Sequence, residues 1–494
     1  MAKVETIVFL SLILDLFAFT IPLPLFPRII EWYTLRESTD PRGFLSQTLG
    51  GVRAVRSLLY KPGAQSQRWD VVLLGGLMGS IFSGLQFFVS PKIGALSDKY
   101  GRKRVLLATM VGNILSALVW MKSTSFSSYL LSRVIGGLSE GNVQLAIAIL
   151  SDVTTAANRS KALAHVGIAF AICFCIGPPI GAYFASRPLP PSINSWGIEL
   201  NIYAVPALIT VVLLVLETIF LVVALPETKG TKVSDKYVDR KDEAKSSKAN
   251  GVTSSTSNGS SNKASPKASV EKRISTLKAL RQLHFLFLSL FSGVEFTLTF
   301  LTFDLLDWNN TQNGKLIGSI GIISALLQGG YVRRSASKIG EGKMARQGVL
   351  SCFMALGLLA LLPHYVEQTG SAEPNSNGRS NTALRLLQLS AVCMAFTSAT
   401  VVNSLTAFAS LQCDDTGGYD EVTGKPATEN PDLAKGQALG KFRSSGQLGR
   451  ALGPIAACAS YWTFGPSLTY SISAVAMLAL YIKMKPIAAT RSIQ

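Results

Sequence analysis

Apolar stretches long enough to cross a bilayer recur along almost the whole chain. A helix needs about 20 apolar residues to span the hydrocarbon layer. Only 15% of the 494 residues are charged, compared with roughly a quarter in soluble domains. We therefore predict an all-α integral membrane protein with about twelve transmembrane helices. The candidate spans lie near 4–27, 70–95, 104–121, 126–150, 162–186, 202–225, 283–303, 316–336, 345–364, 386–410, 437–462 and 466–485.

A polar segment at 227–277 divides these spans into two groups of six. Its centre, KSSKANGVTSSTSNGSSNKASPKAS, has little apolar surface to bury. We predict that this segment is a disordered cytosolic linker. It would separate an N-terminal six-helix bundle at 1–226 from a C-terminal six-helix bundle at 278–494.

The two groups also resemble each other. QFFVSPKIGALSDKYGRKRVLL at 86–107 has a weaker counterpart in QGGYVRRSASKIGEGKMARQGVL at 328–350. Likewise, CIGPPIGA at 175–182 matches RALGPIAA at 450–457. Two matched pairs in the same order predict pseudo-symmetric halves related by an axis along the membrane normal.

Loop charge predicts the orientation of these spans. The second–third loop, the linker, the eighth–ninth loop and the C-terminal tail are basic. We expect these segments and both termini on the cytosolic side, because cytosolic loops carry an excess of Lys and Arg. Two loops do not follow this rule: 28–69 is basic but must be external, and 411–435 is acidic but must be cytosolic.

The loop after the second span reads GALSDKYGRKR at 94–104. Its glycines permit a tight turn, and its aspartate can face the positive N-terminal end of a neighbouring helix. The pattern resembles the loop between the second and third helices of major facilitator superfamily transporters. With two charges at the end of the fourth span, it predicts a network that closes a cytosolic gate. The alternative is a set of solvated loop charges. The predicted gate residues are Gly94, Asp98, Gly101, Arg102, Asp152 and Arg159.

Two carboxyl groups within the spans are candidates for proton coupling. Asp15 lies in the middle of the first span, and Glu140 lies in the fourth. A low-dielectric medium favours the protonated form of a carboxyl group, which suits a group that binds and releases protons. Arg133, Glu140 and Gln144 have the spacing of one helical face, which we expect to point to a central cavity. Arg133 and the glycine four residues later resemble the fourth-helix motif of proton-coupled members of the superfamily, in which the arginine is linked to proton transfer. The alternatives are a structural role for Asp15 and an internal Arg133–Glu140 ion pair.

The second half adds further candidates for the substrate cavity. Arg443, Gln447 and Arg450 repeat the four-then-three spacing of a helical face. Glu295 lies within an apolar run of the seventh span. A basic stripe would attract anionic or zwitterionic substrates, and Glu295 would counter its charge.

The fifth span contains Gly177, Pro178 and Gly181. Prolines interrupt the backbone hydrogen bonds and glycines allow close helix contact, so we expect a kink and a tight seam. The segment resembles the antiporter signature of drug:proton exchangers, although Ala182 replaces its final glycine.

Most of the chain is similar to the eukaryotic tetracycline-transporter-like branch of the superfamily. The segments that carry this resemblance are LDLFAF, SGLQFFVSPKIGALSDKYGRK, SRVIGGLSEGNVQLA, FSGVEFTLTFLTF and GKFRSSGQLGRALGPIAA. The resemblance implies the major facilitator superfamily fold and ion-driven transport of drugs or organic anions. Together with the antiporter-like segment of the fifth span, it favours a proton-coupled efflux antiporter. The alternatives are a facilitator or symporter of a metabolite, and a non-transporting receptor or scaffold.

Composition and motifs exclude several other classes. The formal charge of +18 would indicate nucleic-acid binding in a soluble protein, but no such motif is present. The six cysteines show no disulfide or metal-ligand pattern. No nucleophile–base set or nucleotide motif is present, so we expect no enzyme activity and no cofactor. We expect a monomer in the plasma membrane, with a vacuolar or other endomembrane as the alternative. Its partners would be protons, a small-molecule substrate and the lipid bilayer.

Overall fold

The computed structural model describes residues 3–22, 25–37, 42–59, 66–185, 200–201, 203–229, 266–306, 308, 310–367, 377–413 and 430–489. Every regular element in these ranges is a helix, which confirms the predicted all-α class. The helices before the linker are α1 (Val4–Thr20), α2 (Phe26–Arg36), α3 (Phe44–Leu59), α4 (Ser66–Tyr100), α5 (Arg102–Met121), α6 (Phe126–Ser139), α7 (Asn142–Val153), α8 (Ala156–Ala185) and α9 (Ala204–Ala224). Those after it are α10 (Pro266–Leu306), α11 (Asn310–Leu327), a π-helical turn (Gln328–Val332), α12 (Arg333–Ile339), α13 (Glu341–Glu367), α14 (Asn377–Leu411), α15 (Lys435–Lys483) and α16 (Lys485–Ala489).

Nine helical segments of the described chain are long and apolar enough to cross a membrane. One of them, Lys435–Ile487, contains both the eleventh and the twelfth predicted spans. Gly465 divides it with a φ of 79°, a backbone conformation that glycine adopts at no steric cost. α1 and α4 cover the first two predicted spans but are not among the nine. The total of twelve therefore stays a prediction.

Each half of the chain has its own buried apolar core. One cluster runs from Ile7 to Leu225 and includes Ala407, and the other runs from Leu277 to Met484. The halves meet along two seams: α4 packs on α15, and α8 packs on α11 and α14. The described residues thus contain two helical bundles with an interface between them.

The fourth span is not one helix. α6 ends at Ser139, Glu140 has non-helical dihedrals (φ −69°, ψ 101°), and α7 begins at Asn142. Gly141 lies at the break, where a Cβ atom would come within 3.0 Å of both Ile93 and Thr109. The prediction of one continuous polar face through Arg133, Glu140 and Gln144 is therefore wrong, because the interruption re-orients the residues that follow it.

Two predicted loop segments contain additional helix. α10 begins at Pro266, so residues 266–277 of the predicted linker are helical, and 230–265 lie outside the described residues. The long first loop contains α2 and α3, which pack with Trp120, Phe126 and Tyr129 into a third buried cluster. The Tyr33 hydroxyl donates to the Ser123 carbonyl (2.9 Å) within this cluster. The apolar faces of these amphipathic helices explain why the basic loop folds onto the bundle.

Glu227 joins the end of α9 to the start of α5. Its carboxylate accepts hydrogen bonds from the backbone N–H groups of Arg102 (2.8 Å) and Lys103 (3.2 Å). It also accepts from those of Thr228 and Lys229, at 3.0 Å each. Partial burial raises the pKa of this carboxyl, but the four backbone donors outweigh it and hold the pKa below its ordinary value. An anion here also complements the positive end of α5.

We predict that Glu227→Ala lowers the free energy of unfolding by about 0.5–2 kcal/mol, the usual cost of losing a helix cap. The depressed pKa stabilises the fold above the ordinary carboxyl pKa of about 4.3, and this contribution disappears as the pH falls through the lower folded pKa. Thermal unfolding of the purified protein at pH 7 and at acidic pH measures both effects. Glu271→Ala, which removes an exposed carboxylate from α10, is the control. Equal melting temperatures for both variants at pH 7 would contradict the capping role.

Candidate functional site

A buried arginine organises the end of the bundle that we predict to be cytosolic. Only 1% of Arg102 is exposed. Its guanidinium donates to Asp98 Oδ1 at 2.7 Å, to Asp152 Oδ2 at 2.9 Å and to the Ser97 hydroxyl at 2.6 Å. Two carboxylates from different helices therefore neutralise one cation, which makes its burial tolerable.

The same aspartates bind the other half of the chain. Asp98 accepts hydrogen bonds from the backbone N–H groups of Gly436 (2.9 Å) and Gln437 (2.7 Å), at the start of α15. A carboxylate at a helix N-terminus satisfies free donors and interacts with the helix dipole. Lys435 lies 3.5 Å from Asp152, so a second ion pair crosses the interface.

Glycines let the backbones of α4 and α15 approach closely at this point. A Cβ atom on Gly94 would collide with the carbonyl oxygen of Gly436, and one on Gly440 would lie 2.7 Å from the carbonyl oxygen of Ser90. Asp98 reaches the backbone of α15 because neither helix has a side chain in between.

A second set of bonds crosses the interface beside α8. Arg159 donates to the carbonyl of Ser410 (3.2 Å) and, within its own half, to that of Ser151 (3.2 Å). The hydroxyls of Ser151 and Ser410 lie 3.0 Å apart, and Ser160 donates to Glu341 at 2.5 Å. The described ends of the two halves are thus held together on both seams.

The predicted gate residues take different places in this arrangement. Asp98, Arg102 and Asp152 form the ion-paired network, and Gly94 permits the close approach. Arg159 bonds to carbonyl groups nearby. Gly101, with a φ of 100°, turns the chain from α4 into α5 beside Glu227.

Asp15 lies in a buried polar cluster of the N-terminal half. Its side chain is 4% exposed, and Oδ1 accepts a hydrogen bond from the amide of Asn142 at 2.6 Å. The side-chain oxygen of the same residue, Asn142 Oδ1, accepts a hydrogen bond from the Thr109 hydroxyl at 3.1 Å. Glu140 lies within electrostatic range of Asp15. Asn142, the first residue of α7 after the break, therefore connects Asp15 on α1 to Thr109 on α5.

The arginine near these carboxyl groups comes from the other half. Arg443 on α15 is within electrostatic range of both Asp15 and Glu140. Arg133 instead lies over the rings of Trp120 (5.8 Å) and Tyr129 (5.5 Å). The charge cluster therefore spans the interface between the two halves.

The remaining cavity candidates are spread along the interface helices. Gln144 donates to the Ser90 carbonyl at 3.0 Å, tying α7 to α4. Gln447 is buried on α15. Glu295 on α10 and Arg450 on α15 are within electrostatic range of each other, and both side chains are exposed at the surface of the chain.

The glycines of the fifth span form a seam with the end of α1. A Cβ atom on Gly177 would collide with the Thr20 hydroxyl, and one on Gly181 would collide with the Ile21 carbonyl oxygen. Pro178 lies inside α8, which runs without interruption from Ala156 to Ala185.

Sequence reasoning missed several members of these clusters. Asn142 was overlooked although it directly follows the glycine in SEGNVQ, and Lys435 and Gly436 begin the run KGQALGK. Glu341 follows the second positive-φ glycine, Gly340, at the counterpart of the 94–104 loop. The internal repeat could have indicated Glu341, whereas nothing in the sequence pairs Asn142 with Asp15.

The sequence profile of the Major Facilitator Superfamily matches residues 8–419. The chain belongs to the major facilitator superfamily. It is 32% identical to "Major facilitator superfamily domain-containing protein 10" of Mus musculus, over 97% of this chain and 92% of that protein. Identity to the Homo sapiens protein of the same name is also 32%, over 98% and 93%. A shorter match, 33% identical over 22% of the chain, is to the class H tetracycline resistance protein of Pasteurella multocida.

Solved structures agree with this assignment. The human organic anion transporter MFSD10 (TETRAN) superimposes with a TM-score of 0.73 at 30% identity, covering 97% of this chain and 98% of that one. The proton:xylose symporter XylE superimposes with a TM-score of 0.61 at 13% identity, covering 98% and 95%, and supports the fold alone. The predicted superfamily and its fold are thereby confirmed, and the chain is a multi-pass membrane transporter.

We predict that Asp98→Asn weakens the closed arrangement at this end. Ser151→Cys and Ser410→Cys, in a background without the native cysteines, place two thiols where hydroxyls lie 3.0 Å apart. They should form a disulfide across the interface. Hydrogen bonds to charged groups contribute about 1.5–3 kcal/mol, so Asp98→Asn should slow cross-linking about tenfold or more.

The matched control for this cross-linking is Asp432→Asn. It removes a carboxylate that pairs with Lys441 (2.8 Å) within the C-terminal half alone. Cross-linking at the parental rate in Asp98→Asn, or an equal decrease in the control, would contradict the role of Asp98 in holding the halves together.

Proposed function

We propose that the protein is a proton-coupled efflux antiporter for drugs or organic ions that works by alternating access. The observation that carries this proposal is the buried Asp15, which accepts a hydrogen bond from Asn142 and has Glu140 and, from the other half, Arg443 within electrostatic range. Ionisable groups inside a membrane protein are costly and usually serve ion or substrate movement. A cluster shared by the two halves responds when the halves move relative to each other.

Alternating access also requires a closed state that can open, and the contacts at the predicted cytosolic end supply one. Asp98 and Lys435 connect the halves through charged hydrogen bonds and an ion pair. Such contacts form or break as a set when rigid bundles rock. In the proposed cycle, they break when substrate enters from the cytosol and re-form when the opposite side opens. Both termini would lie in the cytosol and the protein would act as a monomer in the plasma membrane.

Competition couples the two fluxes. A cationic substrate group that binds the deprotonated carboxyl groups of Asp15 and Glu140 excludes protons from them, and protons exclude that substrate. Each crossing then carries either substrate or protons, so inward proton flow drives substrate outward. Arg443 keeps the empty, deprotonated site electrostatically tolerable. Arg133, which lies over the rings of Trp120 and Tyr129, would position the part of α6 that leads to Glu140.

The relatives support the substrate class. One similar structure is described as an organic anion transporter. Partial matches are described as tetracycline, quinolone and multidrug resistance proteins. Drug-like organic ions are therefore the substrates that we propose for this chain.

Arg443 favours a second candidate, proton–anion symport. An anionic substrate that binds Arg443 replaces the carboxylates as its partner. The released carboxyl groups then bind protons, because they have lost their counter-charge. Anion and proton would bind together rather than compete, and they would cross in the same direction.

We predict that Asp15→Asn abolishes substrate accumulation driven by a pH gradient but leaves downhill exchange. The amide keeps the size and an oxygen for the hydrogen bond from Asn142, but it cannot carry a proton. Uptake of fluorescein and of ethidium into proteoliposomes measures this. The control is Asp304→Asn, which changes a carboxylate bonded to Tyr461 (3.1 Å) near the end of α10. Gradient-driven accumulation by Asp15→Asn would exclude this residue as the proton carrier.

The direction of the gradient distinguishes the two candidates. Antiport predicts that the substrate accumulates in vesicles with an acidic lumen, because leaving protons drive it in. Symport predicts accumulation when the outside is acidic. Uptake that is indifferent to both gradients would show a facilitator and reject proton coupling.

A further inference from the structure

A third carboxyl group, Glu217, is buried in the N-terminal half away from the interface. It lies on α9, and only 1% of the residue is exposed. Oε1 accepts a hydrogen bond from the Ser11 hydroxyl at 2.7 Å. Oε2 is also buried and has no hydrogen-bond partner among the described residues. An ionised carboxylate in a buried site, with one oxygen that accepts no hydrogen bond, is costly in free energy, whereas a bound proton removes the charge.

Glu217 is connected to the proposed proton site. Ser11 precedes Asp15 by one turn of α1, so both side chains lie on the same helical face. Asp15 and Glu140 are the ionisable groups within electrostatic range of Glu217. Cys173 on α8, which approaches the Ile13 carbonyl at 3.5 Å, lies beside Asp15. Lys103 on α5 bonds to the Val222 carbonyl (2.8 Å), further towards the end of α9.

The charges of this cluster do not balance without protons. Asp15, Glu140 and Glu217 are three acids, and Arg443 interacts with the first two. Three carboxylates near one guanidinium in a low-dielectric interior repel one another. The group whose ionisation is least compensated is Glu217, because Arg443 acts on Asp15 and Glu140 and no described cation lies within electrostatic range of Glu217.

We propose that Glu217 is a further proton-binding site, which gains and loses a proton during transport in exchange with Asp15. A proton moves from the Asp15 carboxyl to the Glu217 carboxylate along the helical face that Asp15 shares with Ser11, which donates to Glu217 Oε1 at 2.7 Å. The transfer leaves Asp15 ionised and Glu217 neutral, with no change in total charge. This inference rests on the proposed proton coupling.

The position of Glu217 gives the transfer a direction. Ser11 is four residues nearer than Asp15 to the N-terminal end of α1, about 6 Å along the helix axis. That end is predicted to be cytosolic. Glu217 therefore lies on the cytosolic side of Asp15, where a proton taken up from outside would go next.

Glu217→Gln tests the proposal. The amide mimics the protonated acid and keeps an oxygen for Ser11, but it does not titrate. The pH of half-maximal fluorescein transport in proteoliposomes should shift by about one unit or more, as expected when one of several interacting carboxyl groups stops titrating. Thr218→Val is the matched control, since the Thr218 hydroxyl donates to the Leu214 carbonyl of the same helix at 2.7 Å. It should leave the pH profile unchanged.

A spectroscopic measurement complements the kinetics. Infrared difference spectra of the wild-type protein, recorded with and without fluorescein, should contain the carbonyl band of a carboxylic acid that Glu217→Gln removes. If Glu217→Gln does not fold, Ser11→Ala should shift that band and the same pH midpoint. If Glu217 stays protonated throughout the cycle, Glu217→Gln will change neither the pH midpoint nor the infrared difference band. That result would overturn the proposal.

Asp15→Asn separates this inference from the proposed function. Loss of gradient-driven uptake in Asp15→Asn with an unchanged pH profile in Glu217→Gln would reject the role of Glu217 alone. Gradient-driven uptake retained by Asp15→Asn would reject both.

Discussion

An ionised side chain in a membrane protein needs a partner, because neither lipid nor a dry helix interface replaces the water that it loses. This requirement organises the described structure. Arg102 binds two aspartates, and Asp98 reaches the N-terminus of α15 in the other half. Asp15 and Glu140 lie near Arg443, again across the interface. The halves are therefore connected by charges that neither half compensates alone, so that separating the halves changes the electrostatic state of both.

Small residues make these connections possible. Gly94, Gly436 and Gly440 bring two helix backbones close enough for a short aspartate side chain to cap a helix in the opposite half. Gly177 and Gly181 do the same for α8 against the end of α1. In a membrane, close packing and interhelical hydrogen bonds hold helices together without help from water exclusion. The glycine seams and the polar contacts are thus parts of one arrangement, since each polar contact depends on the short backbone distance beside it.

The network at the predicted cytosolic end and the buried carboxyl cluster have complementary parts in the proposed cycle. Contacts through Asp98 and Lys435 favour one relative position of the halves. The cluster around Asp15 links that position to the presence of protons or substrate. Glu217 extends the cluster into the N-terminal half, where a proton can be held away from the substrate.

Local patterns predicted much of this. Spans could be located because each must bury a whole helix in hydrocarbon. Asp15 stood out because charges are rare within spans, whereas Asp98 and Arg102 stood out through the pattern GALSDKYGRKR. The break at Glu140 could not be predicted from helical spacing, since a polar residue at every third or fourth position does not reveal where the backbone leaves the helix. Arg133 was expected near Glu140 because the two residues share the fourth span, but Arg133 lies over the rings of Trp120 and Tyr129.

The sequence by itself determined that the chain is a bundle of membrane helices with two similar halves. It also determined which charged residues lie within that bundle at a cost in free energy. Only the tertiary structure decided which charge meets which. The physical reason is that hydrophobic length and loop charge act within one segment, whereas an ion pair or a helix cap depends on distances between segments far apart in the chain. Arg443 comes within electrostatic range of Asp15 and Glu140 only through the packing of the two halves.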